Sequence, residues 1–227
     1  MITTILWDVD GTLLNFEAAE KAAIRALFQE FGFGVCTDEM LKRYSQINKI
    51  YWERLERKEV TRQEVLEGRF LDFFAEEGLD VSAAPEFNEC YQTSLGDTIV
   101  FYDDSYEIVK SLRGKVKQYV VSNGTITAQT KKLRVSGLGE LMDGIFLSEQ
   151  LGVEKPDVHF FEQVFAQTGL TAKTQIMIVG DSLSSDILGG NNAGIITCWY
   201  NPEHKQSKNS VRIDYEITDL HEIYNLI

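Results

Sequence analysis

The second half of the chain changes period repeatedly, and this constrains the fold more than any other feature. Short apolar runs at residues 118–121 (QYVV), 144–147 (GIFL), 175–179 (QIMIV) and 195–199 (IITCW) alternate with helix-like segments at 104–112, 127–136, 158–168 and 184–193. Runs of four or five apolar residues without alternation suit strands buried on both faces, and a helix between each pair gives the crossover that parallel strands require. The pattern predicts βαβ units forming a parallel sheet with helices on both faces. Residues 3–7 (TTILW) are equally short, β-branched and apolar before the polar residues and Gly11, so they are expected to join that sheet.

Between this first run and the alternating region the chain reads as helical throughout. Residues 17–31, 38–57, 61–76 and 82–94 carry apolar residues at helical spacing. Thr61 followed by Glu64 matches a capping box, and Gly32 and Gly78 stand where helices would end. The expected organisation is a core of residues 1–15 and 97–227, interrupted by an all-helical insert over 16–96. The only long polar stretch, 201–212, reads as a solvated connection.

Composition narrows the partners. The 22 Lys and Arg face 35 Asp and Glu, a formal charge of −13, which repels long nucleic acid and acidic lipid. A small phosphorylated ligand stays compatible, because a bound metal can supply local positive charge. Cys36, Cys90 and Cys198 are odd in number and lack C-x-x-C spacing, which argues against a disulfide framework or a structural zinc site. No run approaches membrane-spanning length, no signal-like N-terminal progression is present, and the cytoplasm is the default expectation.

Ligands of an open parallel sheet bind beyond the carboxyl ends of its strands. The polar residues there are Asp8 and Asp10 after the first run, Ser122, Asn123 and Gly124 after QYVV, Lys155 beyond GIFL, and Asp181 and Ser182 after QIMIV, with Asp186 close behind. Gathered at one edge, Asp8, Asp10 and Asp181 would repel one another unless a cation or protons intervened. Oxygen ligands favour magnesium; His159, His204 and His221 are not at ligand spacing, so zinc is a poor fit. Thr12, Ser122, Asn123, the backbone N–H groups near Gly11 and Gly124, and the Lys155 ammonium are the complementary donors for phosphate. Such a set suits phosphoryl transfer, with an aspartate as nucleophile and a second one two residues on moving the proton.

Bland readings run alongside. Asp-Gly is ordinary turn chemistry, Asp181 or Ser182 could cap the following helix, Asp186 could serve the helix dipole, and Ser122-Asn123-Gly124 is also a plausible turn. Lys155 before Pro156 could be a surface charge, with Pro156 opening a helix. The aromatic residues of the insert, Phe28, Tyr44, Tyr51, Trp52, Phe70, Phe73, Phe74 and Tyr91, are mostly expected to be core, with Phe16 the better candidate to meet a substrate base.

DVDGT at 8–12, the strand-ending Ser122, Lys155 in EKPD and GDSLSSD at 180–186 together resemble the four ordered motifs of the haloacid dehalogenase (HAD) superfamily of phosphohydrolases. The resemblance implies a Rossmann-like core with a helical cap whose closure excludes water. It makes Asp8 the nucleophile, Asp10 the general acid and base, and Ser122 and Lys155 the phosphoryl holders. It places Mg2+ on the Asp8 carboxylate, the Asp10 carbonyl and Asp181, with Asp186 behind them. WDVDGTLLNFEAAE and GDSLSSDILGGNNAGIITCWYNP are similar to bacterial house-cleaning pyrimidine 5'-nucleotidases, which implies a nucleoside 5'-monophosphate as substrate and a monomer or small homo-oligomer. The alternatives are a phosphosugar phosphatase or mutase, and, in another class, a non-enzymatic phosphoacceptor or binding module. A dehalogenase would lack the second aspartate, and Asp10 argues against it.

Overall fold

The structure is a computed structural model, and it describes residues 1–207 and 211–227. Part of the polar connection over 201–212 therefore lies outside the described residues. In chain order the elements are β1 (Thr4–Trp7), α1 (Phe16–Glu30), α2 (Asp38–Glu56), α3 (Arg62–Glu77), α4 (Ala84–Ser94), α5 (Ser105–Leu112), β2 (Lys117–Ser122), α6 (Ile126–Val135), β3 (Gly144–Leu147), α7 (Ser148–Leu151), α8 (Val158–Thr168), β4 (Ile176–Gly180), α9 (Leu188–Ala193), β5 (Ile196–Tyr200) and β6 (Tyr215–Ile217). They divide into two units, Met1–Phe16 with Ile99–Ile227, and Glu17–Thr98.

The first unit is built on one six-stranded sheet in the order β3-β2-β1-β4-β5-β6, with every pairing parallel. Strand alternation sends Ile5, Trp7, Val120, Met177 and Val179 into one apolar cluster with Val109 and Leu112 of α5 and Leu133 of α6. Leu6, Val121, Ile176 and Ile178 enter the cluster on the other face, with Phe160, Phe161 and Val164 of α8. The buried Trp7 indole donates to Gln118 Oε1 at 3.1 Å, and the Gln118 amide donates to the Val109 carbonyl at 2.9 Å, so the polar atoms in this core are paired.

Chain direction across the sheet reverses between β1 and β4, which are neighbours in register with Trp7 opposite Val179. Their carboxyl ends form the switch point at which such sheets bind ligands, and they carry Asp8 and Asp181.

Two elements escaped the sequence reading. β6 is three residues long with only Ile217 buried, and α7 is a single turn, so neither carries a periodic signal. The first half of the helix expected over 184–193 is a π-helical turn, Leu183–Ile187, capped by Ser182, whose Oγ accepts from the Ser185 N–H at 3.2 Å. Pro156 does not open a helix; α8 starts two residues later behind Asp157, whose side chain caps it.

The second unit packs helices around aromatic rings. Phe28, Phe70, Phe73, Phe74, Phe87, Tyr44 and Tyr91 are fully buried, and Tyr44 stacks on Phe70 with centroids 4.8 Å apart. Burying a phenylalanine contributes about 1.5–3 kcal/mol, so this cluster outweighs helix propensity in holding the unit together. α3 begins with the expected capping box: Glu64 N–H donates to Thr61 Oγ1 at 3.2 Å, and Thr61 N–H to the Glu64 carboxylate at 2.7 Å. Beside the rings lies a buried polar set. Glu20 accepts from Ser45 and Asn48, and the Arg69 guanidinium donates to Asn48 Oδ1 and Asn88 Oδ1 at 2.9 Å each. No helix among the described residues is long and apolar enough to cross a membrane.

Candidate active site

Asp8 stands immediately beyond β1, and its N–H still donates to the Val179 carbonyl at 2.9 Å, so the sheet ladder fixes its backbone. The chain then turns sharply, with the N–H groups of Thr12, Leu13 and Leu14 all converging on the Val9 carbonyl. Gly11 sits in this turn with φ +94°, and a Cβ there would lie 2.6 Å from Asp181 Oδ2. Only glycine satisfies both the backbone angle and the approach of that carboxylate.

Lys155 is the centre of the charge arrangement. Its buried ammonium donates to Asp8 Oδ1 at 2.9 Å, to Asp186 Oδ1 at 2.6 Å and to the Val121 carbonyl at 2.7 Å, which satisfies all three protons. Burial alone would lower its pKa, but the Asp186 and Asp8 carboxylates outweigh it and hold the ammonium above its usual range. Asn123 anchors the segment: its Oδ1 accepts from the Lys155 N–H at 2.9 Å and its Nδ2 donates to the Lys155 carbonyl at 2.8 Å. The same Nδ2 lies 3.2 Å from Ser185 Oγ.

The carboxylates of Asp8, Asp181 and Asp186 each offer an oxygen within 4.8 Å of the others. Burial, opposed by Lys155 and reinforced by Asp186 and Asp10, pushes the Asp8 carboxyl up to about 7. Desolvation and the charges of Asp8 and Asp186 push Asp181 upward as well. An all-oxygen cluster that resists full ionisation is the donor chemistry of a hard divalent cation such as magnesium. Both Asp186 oxygens are engaged, one by Lys155 and the other by the Ser182 N–H at 3.1 Å. Ser182, not Asp181, caps the following turn, and the Asp181 backbone carbonyl is held by the Trp199 indole at 2.9 Å.

Several donors expected to face phosphate have partners within the protein. The buried Thr12 hydroxyl donates to Asp8 Oδ2 at 3.2 Å, the Gly11 N–H to the Leu14 carbonyl at 2.9 Å, and the Gly124 N–H to Ser122 Oγ at 3.1 Å. A turn this tight pairs its own polar groups. Ser122, buried at the end of β2, accepts that bond and keeps its own proton to donate.

The Asp10 carboxylate stands apart from the other three. Gln129 and Lys132 of α6 donate to its two oxygens, Nε2 to Oδ2 and Nζ to Oδ1, at 2.6 Å each. The Phe16 ring lies under the Lys132 ammonium, 4.9 Å from centroid to nitrogen. Neither Gln129 nor Lys132 was singled out in the sequence. Their signal was there, since both fall on the buried stripe of α6 beside Ala128 and Leu133.

The family described as haloacid dehalogenase-like hydrolase matches residues 5–200. YfnB of Bacillus subtilis (strain 168), named as a HAD-hydrolase, is 35% identical over 224 residues, covering 99% of this chain and 94% of YfnB. The pyrimidine 5'-nucleotidase PynA of Streptococcus pneumoniae (strain ATCC BAA-255 / R6) is 36% identical over 217 residues, covering 94% and 90%. The pyrimidine 5'-nucleotidase YjjG of Escherichia coli (strain K12) is 28% identical over 223 residues, covering 98% and 96%. The crystal structure of YfnB, bound to magnesium, superposes with a TM-score of 0.91 over 99% of this chain and 98% of that one, at 35% identity.

Proposed function

This chain belongs to the haloacid dehalogenase-like hydrolases, and from that premise we propose that it is a magnesium-dependent phosphomonoesterase acting on pyrimidine nucleoside 5'-monophosphates through an aspartyl phosphate on Asp8. The observation that carries this reading is the buried Lys155 ammonium joined to Asp8, with the carboxylates of Asp181 and Asp186 alongside. The pyrimidine 5'-nucleotidases PynA and YjjG, similar over nearly the whole chain, support the substrate class.

In this reading the Asp8 and Asp181 carboxylates and the Asp10 backbone carbonyl would hold magnesium, with Asp186 orienting Lys155 and Ser182 behind them. Such an ion would offset the negative charge of carboxylates and phosphate. Asp8 attacks phosphorus as the bond to the leaving oxygen breaks, and the Asp10 carboxyl gives its proton to that oxygen, releasing the nucleoside. Water then attacks phosphorus, its proton passes to Asp10, and the bond to Asp8 breaks to release orthophosphate. The Ser122 hydroxyl donates to a phosphoryl oxygen, and the Lys155 ammonium, its protons on Asp8, Asp186 and the Val121 carbonyl, offsets the developing negative charge from beside Asp8. Thr12 keeps Asp8 in its attacking rotamer, and the inserted helical unit serves as the cap that selects the leaving group.

The test is phosphate release from nucleoside 5'-monophosphates and sugar phosphates, with and without magnesium, by the intact chain and by Asp8→Asn. Pyrimidine nucleoside 5'-monophosphates should turn over fastest, and Asp8→Asn should abolish turnover. A protein inactive on every phosphomonoester, or an active Asp8→Asn, would overturn the proposal; a preference for sugar phosphates would overturn its substrate class.

A further inference from the structure

Gln129 and Lys132 occupy positions where an amphipathic helix ordinarily places apolar side chains. Both are buried, one turn apart on the stripe of α6 that faces the core. The Gln129 Oε1 is buried with no hydrogen-bond partner among the described residues. A leucine would remove that unpaired acceptor and fill the space, so packing alone does not account for the amide. Its other end does: Nε2 donates to Asp10 Oδ2, and the Lys132 ammonium to Asp10 Oδ1.

The approach is built from both sides. A Cβ at Gly124 would lie 2.3 Å from Gln129 Nε2, so this glycine leaves the room in which the amide reaches Asp10. On the far side the Phe16 ring lies under the Lys132 ammonium, favouring a cation at that place.

We propose that Gln129 and Lys132 are positioning residues that fix the Asp10 carboxyl group in the rotamer from which it serves the leaving oxygen. Each donor uses one lone pair on a different Asp10 oxygen, which leaves the second lone pair of each oxygen for the travelling proton. A two-point hold removes rotation about the last torsion of Asp10, and the resulting alignment is worth more in rate than in binding. The inference rests on the reading of Asp10 as the proton donor to the leaving group.

The experiment compares two substrates on the magnesium-supplied enzyme. From uridine 5'-monophosphate the uridine 5'-oxygen leaves as an alkoxide that needs a proton, whereas from p-nitrophenyl phosphate the stable p-nitrophenolate leaves without one. For Lys132→Met and Gln129→Leu, single-turnover release of uridine should fall about 10- to 100-fold, with less than about a threefold fall in single-turnover release of p-nitrophenolate, since only this first step separates the two substrates. Lys132→Arg should restore much of the difference, and Gly124→Ala, acting from the other side of the amide, should reproduce it. Adding Lys132→Met to Asp10→Asn should cost nothing further, because the clamp has lost the group it positions. Equal losses on both substrates, no loss on either, or additive losses in the double variant would overturn the clamp while Asp10→Asn still separates the substrates. If Asp10→Asn itself fails to separate them, the proton-donor reading falls, and the clamp with it.

Discussion

The Lys155 ammonium lies 2.9 Å from Asp8 Oδ1 while neither group is more than slightly exposed, so a buried cation sits directly against the Asp8 carboxyl group. Removing one partner of such a pair leaves an uncompensated buried charge, which costs about 3–5 kcal/mol. Lys155→Met should lose that much stability near neutral pH, measured by urea unfolding. Its phosphatase rate should fall by at least about 100-fold. A variant of unchanged stability would mean that the Asp8 and Asp186 charges are compensated elsewhere.

The Asp8 shift sets a pH dependence for the metal-free protein. The folded carboxyl takes up its proton near 7, against 3.8 for an ordinary aspartate. Between those values the folded state binds more protons than the unfolded state, so stability falls as pH rises through the interval from about 4 to about 7. Magnesium held as proposed would bind the ionised site and compete with that proton. The gain in Tm on adding magnesium should therefore be larger near pH 8 than near pH 5, and a chelator should reverse it. A pH-independent gain would place the ion away from Asp8.

Gly11→Ala should damage the proposed metal site and the turn together. The positive φ costs a non-glycine residue about 1–3 kcal/mol, and the added methyl would push against the Asp181 carboxylate. The magnesium concentration for half-maximal activity should rise at least about tenfold, the equivalent of 1.4 kcal/mol. An unchanged magnesium requirement would exclude Asp181 from the ligands.

Trp199 offers a milder lever on the same carboxylate. Its indole holds the Asp181 backbone carbonyl from β5 at 2.9 Å. Trp199→Phe should cost about 1 kcal/mol of stability, the worth of one hydrogen bond, and weaken magnesium activation without changing substrate preference. Thermal melts and a magnesium titration of turnover check the two parts separately.

Strands β1 to β5 were legible because each is an apolar run between polar turns, and in β1, β2, β4 and β5 nearly every residue is buried, whereas Ile145 of β3 is exposed. β6 was not, since Tyr215 and Glu216 are exposed and Ile217 alone reaches the core. Strand-end logic found the residues that the structure gathers as Asp8, Asp181, Asp186 and Lys155. It did not reveal how they are held. Thr12 turns toward Asp8 and Asn123 toward the Lys155 backbone, because short side chains in tight turns bond to what lies closest. Nor did it single out Gln129 and Lys132, whose partner Asp10 is more than a hundred residues away in sequence.

The places where the long helical segment leaves and rejoins the sheet unit are tied together by backbone hydrogen bonds. Asn15 N–H donates to the Val100 carbonyl at 2.8 Å, Tyr102 N–H to the Leu13 carbonyl at 3.2 Å, and Leu14 pairs with Phe101 in an antiparallel bridge. This junction works like a socket: its two contacts are closed by peptide groups that any sequence supplies. The turn that carries Asp8 and Asp10 is thereby pinned to the sheet unit by bonds that do not depend on which side chains flank it.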